Sequence, residues 1–379
     1  MMEEFDIAII GAGMAGASLA AECAPHARVL LIEAEDTPGY HTTGRSAAFW
    51  DEVYGGPAVV PLTLAAGPYL AEHGFLHERG SLVIGRAHER DGLERFVADY
   101  AGLGAHVELV DRAAMAALVP GLRPEWTAAV WQPGCADIDV AGLHQHYLAR
   151  ARQAGSVLRV RAQVDRIEKA GGLWEIGWRT AGQDVRVRAA LVANAAGAWA
   201  DTVAGLAGAR RLGIAPLRRT IVQLRLDGPV PATLPLTFDL AGEFYFKPSG
   251  DRLWLSPHDE TPDVPCDAAP EEYDVALAID RMSRVVDWQV QAVERRWAGL
   301  RSFAPDRAPV YGFDADVPGF FWFAGQGGFG IQTAPAAARL GAQLLLGQGP
   351  DEMTASLDPA AYAPGRLRAA VPVETSAQA

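Results

Sequence analysis

The sequence is poor in cysteine, in basic residues and in long apolar runs. Its three cysteines, Cys23, Cys135 and Cys266, are far apart and form no C-x-x-C pair, so neither a disulfide framework nor a zinc site is expected. Acidic residues outnumber Lys and Arg by 46 to 33, and a formal net charge of −13 argues against nucleic acid as a partner. No apolar run reaches the roughly 20 residues that a membrane-spanning helix needs, so no integral membrane segment is expected.

Motifs of several enzyme classes are missing as well. The chain has no H-E-x-x-H, no G-x-S-x-G and no G-x-x-x-x-G-K-[ST]. His144 and His146 lie two residues apart on a predicted helix, so their side chains diverge, and no metal site is expected. Residues 1–4 are acidic, unlike the basic start of a secretory signal, which predicts a cytoplasmic protein.

What the chain does contain is a glycine-rich turn near its beginning. Residues 5–10 read as a buried strand, residues 11–16 form a G-x-G-x-x-G turn before an alanine-rich helix, and a second apolar strand ends at Glu33. Glycine backbone lets a pyrophosphate approach the helix N-terminus, and the acid can accept hydrogen bonds from a ribose. An ordinary tight turn is the alternative, but strand, helix and acid together predict a dinucleotide site at Gly11, Gly13, Ala15, Gly16, Glu33 and Ala34.

The next loop indicates which dinucleotide binds. It contains Thr42, Thr43, Gly44, Arg45, Ser46, Ala47 and Ala48. Hydroxyl groups, backbone amides and a guanidinium suit the phosphates and ribityl chain of an extended FAD, whereas an NAD enzyme needs no second phosphate loop at this point. A solvated turn is the alternative for this loop on its own. FAD is the predicted cofactor, held noncovalently because no His or Cys stands out as an attachment site.

A second glycine loop lies near the other end of the chain. It follows a buried strand at residues 320–324 and leads into a helix from about residue 333 to 346, with Thr333 as the N-cap. Free N–H groups and the helix dipole can stabilise negative charge on a reduced flavin. A packing-driven strand–turn–helix is the better interpretation of this loop on its own. In an FAD site the loop contributes Gly327, Gly328, Phe329, Gly330, Ile331 and Gln332.

Three stretches together resemble the D-amino acid oxidase superfamily of flavoproteins, namely residues 11–16, 43–46 and 327–331. Further runs resemble bacterial D-amino acid dehydrogenases of the D-arginine dehydrogenase type; they are residues 38–41, 136–139, 194–199, 297–303 and 319–333. The resemblance covers roughly residues 5–350. It implies an α/β fold in which a Rossmann-like FAD-binding domain is interleaved with an α+β substrate domain on a mostly antiparallel sheet.

We expect the FAD domain over residues 1–48, 139–208 and 300–365, and the substrate domain over residues 49–138 and 209–299. The tail over residues 366–379 is expected to be disordered. Val164, Ala196, Gly197 and Trp199 complete the expected FAD contacts.

The resemblance also implies the substrate-binding residues. Arg301 matches a family arginine in the run Trp297-Ala298-Gly299-Leu300-Arg301; it can clamp a carboxylate with two parallel hydrogen bonds, and a surface ion pair is the alternative. Arg219 resembles a second pocket arginine, although alternation cannot choose between Arg218 and Arg219. Tyr245 resembles a tyrosine that contacts the substrate carboxylate, and Tyr54 one on a mobile lid, with plain packing as the alternative for both. Gly328 is expected at the reaction centre.

One position departs from the D-arginine-oxidising relatives. Ser81 stands where they carry a glutamate that recognises the guanidinium of the substrate. Phe49, Leu236 and Phe238 are apolar and lie near positions that line the relatives' pocket. A neutral or apolar substrate side chain is therefore predicted.

The predicted activity is FAD-dependent oxidative deamination of a D-amino acid, with hydride transfer to flavin N5 and hydrolysis of the imino acid to a 2-oxo acid and ammonia. Within the same superfamily, a glycine- or sarcosine-type amine oxidase or a 2-hydroxy acid dehydrogenase is the alternative. A flavin-binding electron-transfer subunit is an alternative of another class. Oxygen, a quinone and a carrier protein all stay open as the electron acceptor.

Overall fold

The computed structural model describes residues 2–180 and 182–367. In chain order, its α-helices are α1 (Met14–Cys23), α2 (Val60–Glu72), α3 (Arg90–Ala101), α4 (Arg112–Leu118), α5 (Val140–Gln153), α6 (Ala200–Leu206), α7 (Glu272–Ser283) and α8 (Ala334–Leu346). Its strands are β1 (Glu3–Ile10), β2 (Val29–Ile32), β3 (Phe49–Trp50), β4 (Leu76–Glu78), β5 (Ser81–Arg86), β6 (Glu108–Asp111), β7 (Trp126–Gln132), β8 (Ala136–Ile138), β9 (Val157–Arg159), β10 (Val164–Ala170), β11 (Leu173–Thr180), β12 (Gln183–Asn194), β13 (Ala215–Leu226), β14 (Leu236–Asp239), β15 (Tyr245–Ser249), β16 (Arg252–Ser256), β17 (Thr261–Pro262), β18 (Val290–Phe303), β19 (Val310–Phe313), β20 (Phe320–Ala324) and β21 (Gln326–Gly327).

The first large sheet is built around β1. This strand pairs in parallel with β2 on one side and with β12 on the other, and β9 and β20 extend the parallel arrangement. Its last four residues are all buried, the continuous apolar pattern of a parallel strand that is covered on both faces. Helices α1, α5 and α8 pack on one face, with Leu19, Leu143 and Leu340 in the same apolar core as Ile7.

An antiparallel ribbon is attached to this sheet. Strands β10, β11 and β12 form it, and the turn between β10 and β11 uses Gly171 and Gly172, both with positive φ. β12 belongs to both the ribbon and the parallel part of the sheet, because its residues 183–189 pair with β11 and its residues 187–194 pair with β1.

The second large sheet has the order β21-β18-β13-β16-β15-β14-β5-β7-β6, with β17 attached to β13. Its pairs are antiparallel except that between β14 and β5. Helix α7 packs on it through Val275, Ala278 and Met282. At the far end of β18, Ser302 pairs with Gly327, which brings the second sheet against the second glycine loop.

The predicted fold class is confirmed by this architecture. The strands of the first sheet lie within residues 3–32, 157–194 and 310–324, whereas β21 pairs with the second sheet although the sequence assigned it to the FAD domain. The domain boundaries themselves stay a prediction. Most of the predicted disordered tail lies outside the described residues; for Arg366 and Leu367 the prediction is wrong, because both belong to a short 3-10 helix and Arg366 Nε binds Asp306 Oδ2 at 2.7 Å. Within the described ranges, no helix is both long and apolar enough to cross a membrane.

Candidate active site

A cavity of about 470 Å³ is lined by residues of both large sheets. Its wall includes the glycine turn after β1, Glu33 after β2, Arg301 near the end of β18, and Gly328 in the second glycine loop. Segments that are far apart in the chain therefore meet around one space.

The turn after β1 leaves no room for side chains. A Cβ on Gly11, whose φ is +99°, would lie 2.5 Å from Ala195 O, and a Cβ on Gly16 would lie 1.8 Å from Gly11 O. Glycine at these two positions lets the chain turn tightly beside the end of β12 and lets α1 start close to β1.

Glu33 faces the cavity with a fixed carboxylate. Its Oε2 accepts the N–H of Ala12 at 2.8 Å, and its Oε1 accepts the N–H of Glu35 at 3.0 Å. A carboxylate has about four acceptor sites, so it keeps lone pairs for the hydroxyls of a ribose.

His144, on α5, supports the glycine turn from behind. Its Nε2 donates to Ala12 O at 2.9 Å, and a Cβ on Gly39 would lie 2.9 Å from its Cε1. Burial lowers the pKa of His144, so the imidazole stays neutral in the tautomer that this bond requires. No sequence motif marks this histidine, and the sequence analysis did not assign it a role.

Most residues predicted to contact FAD line the cavity. They are Gly11, Gly13, Ala15, Glu33, Ala34, Thr42, Thr43, Arg45, Ser46, Ala47, Val164, Ala196, Gly197, Trp199, Gly327, Gly328, Gly330 and Ile331. Met14, His41, Gln163 and Thr202 also line it. Sequence reasoning did not assign them to the site, because Met14 and His41 are not the residues that define the runs 11–16 and 38–41, and Gln163 and Thr202 belong to no motif.

The other predicted FAD residues, Gly16, Gly44, Ala48, Phe329 and Gln332, do not line the cavity. Gly44 is a packing position, because a Cβ there would lie 2.8 Å from Gly39 O. Phe329 packs edge-on against Phe303, with ring centroids 6.0 Å apart. The side chain of Gln332 is buried in hydrogen bonds to other residues. These residues support the cavity wall, and their contact with the cofactor stays a prediction.

Arg45 lines the cavity, but its guanidinium binds other parts of the chain. Nη1 donates to Ala268 O at 2.9 Å and to Ala298 O at 3.2 Å, and Nη2 pairs with Asp267. The guanidinium also lies over the ring of Tyr40, 5.1 Å from its centroid. Arg45 thus joins the loop after β2 to the segment after β17, whereas the sequence suggested a phosphate ligand.

The wall contains polar atoms that suit an elongated, polar cofactor. His41 Nδ1 and Arg219 Nη1 are buried at the cavity and have no hydrogen-bond partner among the described residues. The glycine turn and Glu33 suit the adenosine side, and the hydroxyls of Thr43 and Ser46 can donate to phosphates and ribityl, whereas Thr42 donates its hydroxyl proton to Leu300 O at 2.6 Å. FAD fits this wall. No cluster of His, Cys, Asp or Glu that could hold a metal ion occurs in the part of the chain that the structure describes.

Arg301 presents a guanidinium to the cavity beside the second glycine loop. Nη1 donates to Tyr54 Oη at 2.5 Å and Nη2 to Tyr245 Oη at 3.5 Å, and within residues 2–180 and 182–367 these hydroxyls are its only hydrogen-bond partners. Both tyrosines contact the guanidinium without lining the open cavity. A Cβ on Gly328 would lie 2.7 Å from Arg301 Nη1, so only glycine allows this approach. A cation with no carboxylate partner is suited to bind an anionic ligand.

The structure distinguishes Arg219 from Arg218. The two are neighbours on β13, so their side chains point to opposite faces of the sheet. Arg218 pairs with Glu271 at 2.6 Å, whereas Arg219 lines the cavity and donates from Nε to Asp259 O at 2.7 Å. Burial and the charge of Arg301 lower the pKa of Arg219.

His258 lies beside the two arginines and was not singled out by the sequence. Its Nδ1 donates to Gly242 O, and its ring meets Tyr245 edge-on with centroids 5.7 Å apart. Burial, followed by the charges of Arg219 and Arg301, lowers the pKa of His258 to about 2, so the imidazole stays neutral. Its φ of +54° is in the left-handed region.

The predicted pocket residues Phe49, Leu236 and Phe238 form an apolar wall instead of lining open space. Phe49 packs against Tyr54 at 4.9 Å and against Phe238 at 5.6 Å between ring centroids. Ala47 and Ile221 belong to the same cluster and do line the cavity.

Ser81 also lies outside the cavity. It is fully buried, and its hydroxyl donates to Asp51 Oδ2 at 2.8 Å. Ser81 therefore does not line the cavity, and its place in a substrate pocket stays a prediction.

Comparisons with known proteins show the family of this chain. The model of the DAO family, FAD dependent oxidoreductases, matches residues 6–344. Hydrogen cyanide synthase subunit HcnC of Pseudomonas aeruginosa is 25% identical over 97% of this chain and 97% of its own length. Glycine oxidase of the same organism is 28% identical over 66% of each chain.

Solved structures show the same architecture. Glycine oxidase from Geobacillus kaustophilus has a TM-score of 0.80 at 25% identity, over 95% of this chain and 98% of that chain. L-proline dehydrogenase from P. horikoshii has a TM-score of 0.83 at 22% identity, over 97% and 99%, which shows the fold alone. The family match confirms FAD as the cofactor, and the chain belongs to the DAO family of FAD dependent oxidoreductases.

Proposed function

We propose that the protein oxidises the Cα–N bond of a small neutral amino acid, glycine or a small D-amino acid, to an imino acid that hydrolyses to a 2-oxo acid and ammonia. The observation that carries the proposal is the Arg301 guanidinium, which faces the FAD cavity and, among the residues that the structure describes, has two tyrosine hydroxyls and no carboxylate as partners. FAD, when bound, supplies the acceptor for the hydride that leaves Cα.

Arg301 binds the substrate carboxylate in this scheme. A guanidinium has five N–H donors, and the hydroxyls of Tyr54 and Tyr245 use two of them, so enough remain for a bidentate carboxylate. The tyrosines fix the plane of the guanidinium, which orients the Cα of a bound substrate. Gly328 lets this group lie directly against the second glycine loop.

The same charges favour an amine without its proton. Arg219 and Arg301 place two guanidinium groups at one end of the cavity, of which Arg219 is partly balanced by Glu260 at 3.3 Å, and the remaining positive charge disfavours a third cation beside them. A bound substrate ammonium therefore gives its proton to water more readily than in solution. The chain then needs no side-chain base, and the neutral His258 is compatible with that role for water.

The size of the substrate follows from the apolar wall. Phe49, Phe238 and Leu236 fill the space behind Ala47 and Ile221, and the nearby carboxylate of Asp51 is already occupied by protein donors. Among the described residues that line the cavity, the acids are Glu33 and Glu35, which follow β2, so the apolar wall offers no acid to a cationic side chain. The likeness to glycine oxidases supports glycine, the smallest of the proposed substrates.

A D-amino acid with a larger apolar side chain is the second candidate. The resemblance to D-arginine dehydrogenase-type enzymes and the apolar character of Phe49, Leu236 and Phe238 favour it. It requires these rings to part and open a subsite next to Arg301. Noncovalent attachment of FAD and a cytoplasmic location stay predictions.

Anaerobic titration of the purified holoenzyme tests the proposal. Glycine, sarcosine, D-alanine, D-leucine, D-arginine, L-alanine and glycolate are added in turn, and bleaching of the visible flavin band is followed. Glycine or D-alanine is expected to bleach the band fastest and D-arginine slowest. Bleaching by glycolate alone would indicate a hydroxy acid enzyme, and no bleaching by any compound would favour an electron-transfer subunit. Detection of hydrogen peroxide after readmission of air separates an oxidase from a dehydrogenase.

A further inference from the structure

Gln332, the last residue of the second glycine loop before Thr333, has a buried side chain directed away from the cavity. Its Oε1 accepts the N–H of Asp51 at 3.3 Å. Its Nε2 donates to Tyr54 O at 3.0 Å and to Thr63 Oγ1 at 2.9 Å. One amide group therefore joins the glycine loop to the loop that carries Tyr54 and to α2.

Tyr54 is held at all its polar groups. Its N–H donates to Asp51 Oδ1 at 3.1 Å, its C=O accepts from Gln332, and its hydroxyl accepts from Arg301. The position of the hydroxyl therefore depends on where Asp51 and Gln332 hold the main chain.

Asp51 is itself fixed in a buried network. Its Oδ1 accepts the N–H of Val53 at 3.1 Å and Gln132 Nε2 at 3.0 Å, and its Oδ2 accepts from Ser81. Burial raises the pKa of Asp51, and these donors oppose the rise. Ser81 on β5 and Gln132 on β7 anchor the Tyr54 loop in the second sheet, while Gln332 anchors it in the glycine loop.

A packing contact joins the same two loops. Gly55 has a φ of +106°, and a Cβ there would lie 2.8 Å from Phe329 Cδ1 and 2.9 Å from Val59 Cβ. Phe329 of the glycine loop thus presses on the residue after Tyr54. Gly55, next to the tyrosine that the resemblance places on a mobile lid, thus has a role in close packing.

We propose that Gln332 is a positioning residue that ties the carboxylate clamp of Tyr54 and Arg301 to the glycine loop of the FAD site. The inference rests on the proposed function, because it takes this clamp to bind the substrate carboxylate. A displacement of the glycine loop moves Gln332, and the Tyr54 main chain transmits the movement to the hydroxyl that orients the guanidinium. Substrate affinity then depends on the glycine loop although Gln332 does not touch the substrate.

The test measures how the holoenzyme binds acetate, a carboxylate without an oxidisable amine, from the change in the flavin absorbance spectrum. Gln332→Leu removes the three hydrogen bonds of the amide, and Tyr54→Phe removes the contact with Arg301. Each is expected to raise the Kd of acetate roughly tenfold, the effect of losing one hydrogen bond to a charged group. Because both changes act through one hydroxyl, the double variant is expected to bind acetate as well as Tyr54→Phe alone.

Gln343→Leu is the matched control. Gln343 is also buried on α8, and its Oε1 accepts Thr354 Oγ1 at 2.8 Å, but it forms no link to Tyr54. This variant is expected to lose thermal stability and to keep the wild-type Kd. The same outcome for Gln332→Leu would overturn the proposal, and so would additive losses in the double variant.

Gln332→Glu tests the link with a side chain of the same shape. The introduced carboxylate cannot donate to Tyr54 O until it is protonated. The ratio of the acetate Kd of this variant to that of the wild type is therefore expected to be high at high pH and to fall towards one as the pH falls. A ratio that does not change with pH would contradict the proposal. If the wild-type holoenzyme does not bind acetate, the clamp itself is refuted, and the proposed function fails together with this inference.

Discussion

The hydroxyl of Tyr54 accepts a hydrogen bond from Arg301 Nη1 at 2.5 Å, across 247 residues of sequence. Because the oxygen accepts, the phenolic proton stays available for a second acceptor. An anion on the guanidinium can take this proton in a hydrogen bond as well as the N–H groups of Arg301. Under the proposed function, this pair binds the substrate carboxylate.

Replacement of Arg301 by lysine is expected to weaken substrate binding severely. An ammonium cannot reproduce the planar fork, and the loss of one or two charge-assisted hydrogen bonds, each about 1.5–3 kcal/mol, predicts a KM roughly 100-fold higher. Steady-state kinetics with the best amino acid from the titration measures this. Arg296→Lys on the same strand, where the guanidinium pairs with Glu272 at a half-exposed site, is expected to keep the wild-type KM.

Replacement of Gly328 by alanine is expected to lower kcat/KM by more than tenfold while FAD is retained. The new Cβ would lie 2.7 Å from Arg301 Nη1 and 2.8 Å from Tyr54 Oη, so the clamp has to move. Absorbance spectra of the purified variant give the FAD content, and kinetics give the loss. Gly205→Ala on α6, where the Cβ meets no atom within 4 Å, is the control. Equal kcat/KM in both variants would show that the clamp tolerates displacement.

The loss of folding stability at acidic pH is expected to depend in part on His258. Its pKa of about 2 in the folded chain lies below the value of about 6.5 for an unfolded histidine, so the unfolded state binds more protons as the pH falls below 6.5, and stability is lost from there downward. His258→Asn keeps a donor for Gly242 O and tolerates a positive φ, but does not titrate. Between pH 8 and pH 5 the variant is expected to lose up to about 2 kcal/mol less stability than the wild type. Denaturant unfolding at both pH values measures this, and equal losses would show that His258 titrates normally in the folded protein.

Local patterns predicted the parts of the site whose residues are neighbours in the chain. The glycine turn, Glu33 at the end of β2 and the helix after Thr333 lie where the sequence placed them, because strand, turn and helix signals are local. One detail differs. Thr333 occupies the N-cap position of α8, but its hydroxyl donates to Phe329 O at 2.9 Å and does not cap the helix.

Contacts between distant residues were not predictable. His144 reaches Ala12, and Gln132 and Gln332 reach the loop of residues 51–54, only because separate elements pack together, and no spacing rule marks such pairs. Helix α2 was not predicted either, because Pro68 lies inside it and a proline in the interior disfavours a helix. Packing overrides this preference: Gly67 of the same helix lies against Trp50, where a Cβ would approach the indole to 2.8 Å.

The cavity wall is drawn from residues 10–47, 162–206, 219–221 and 299–331. A fragment that ends before residue 299 lacks one side of this cavity and is expected not to bind FAD. The yellow colour of bound flavin in a purified sample therefore indicates that the segments near both ends of the chain are folded against each other. Colour can serve as a simple visual assay when refolded or truncated forms are compared.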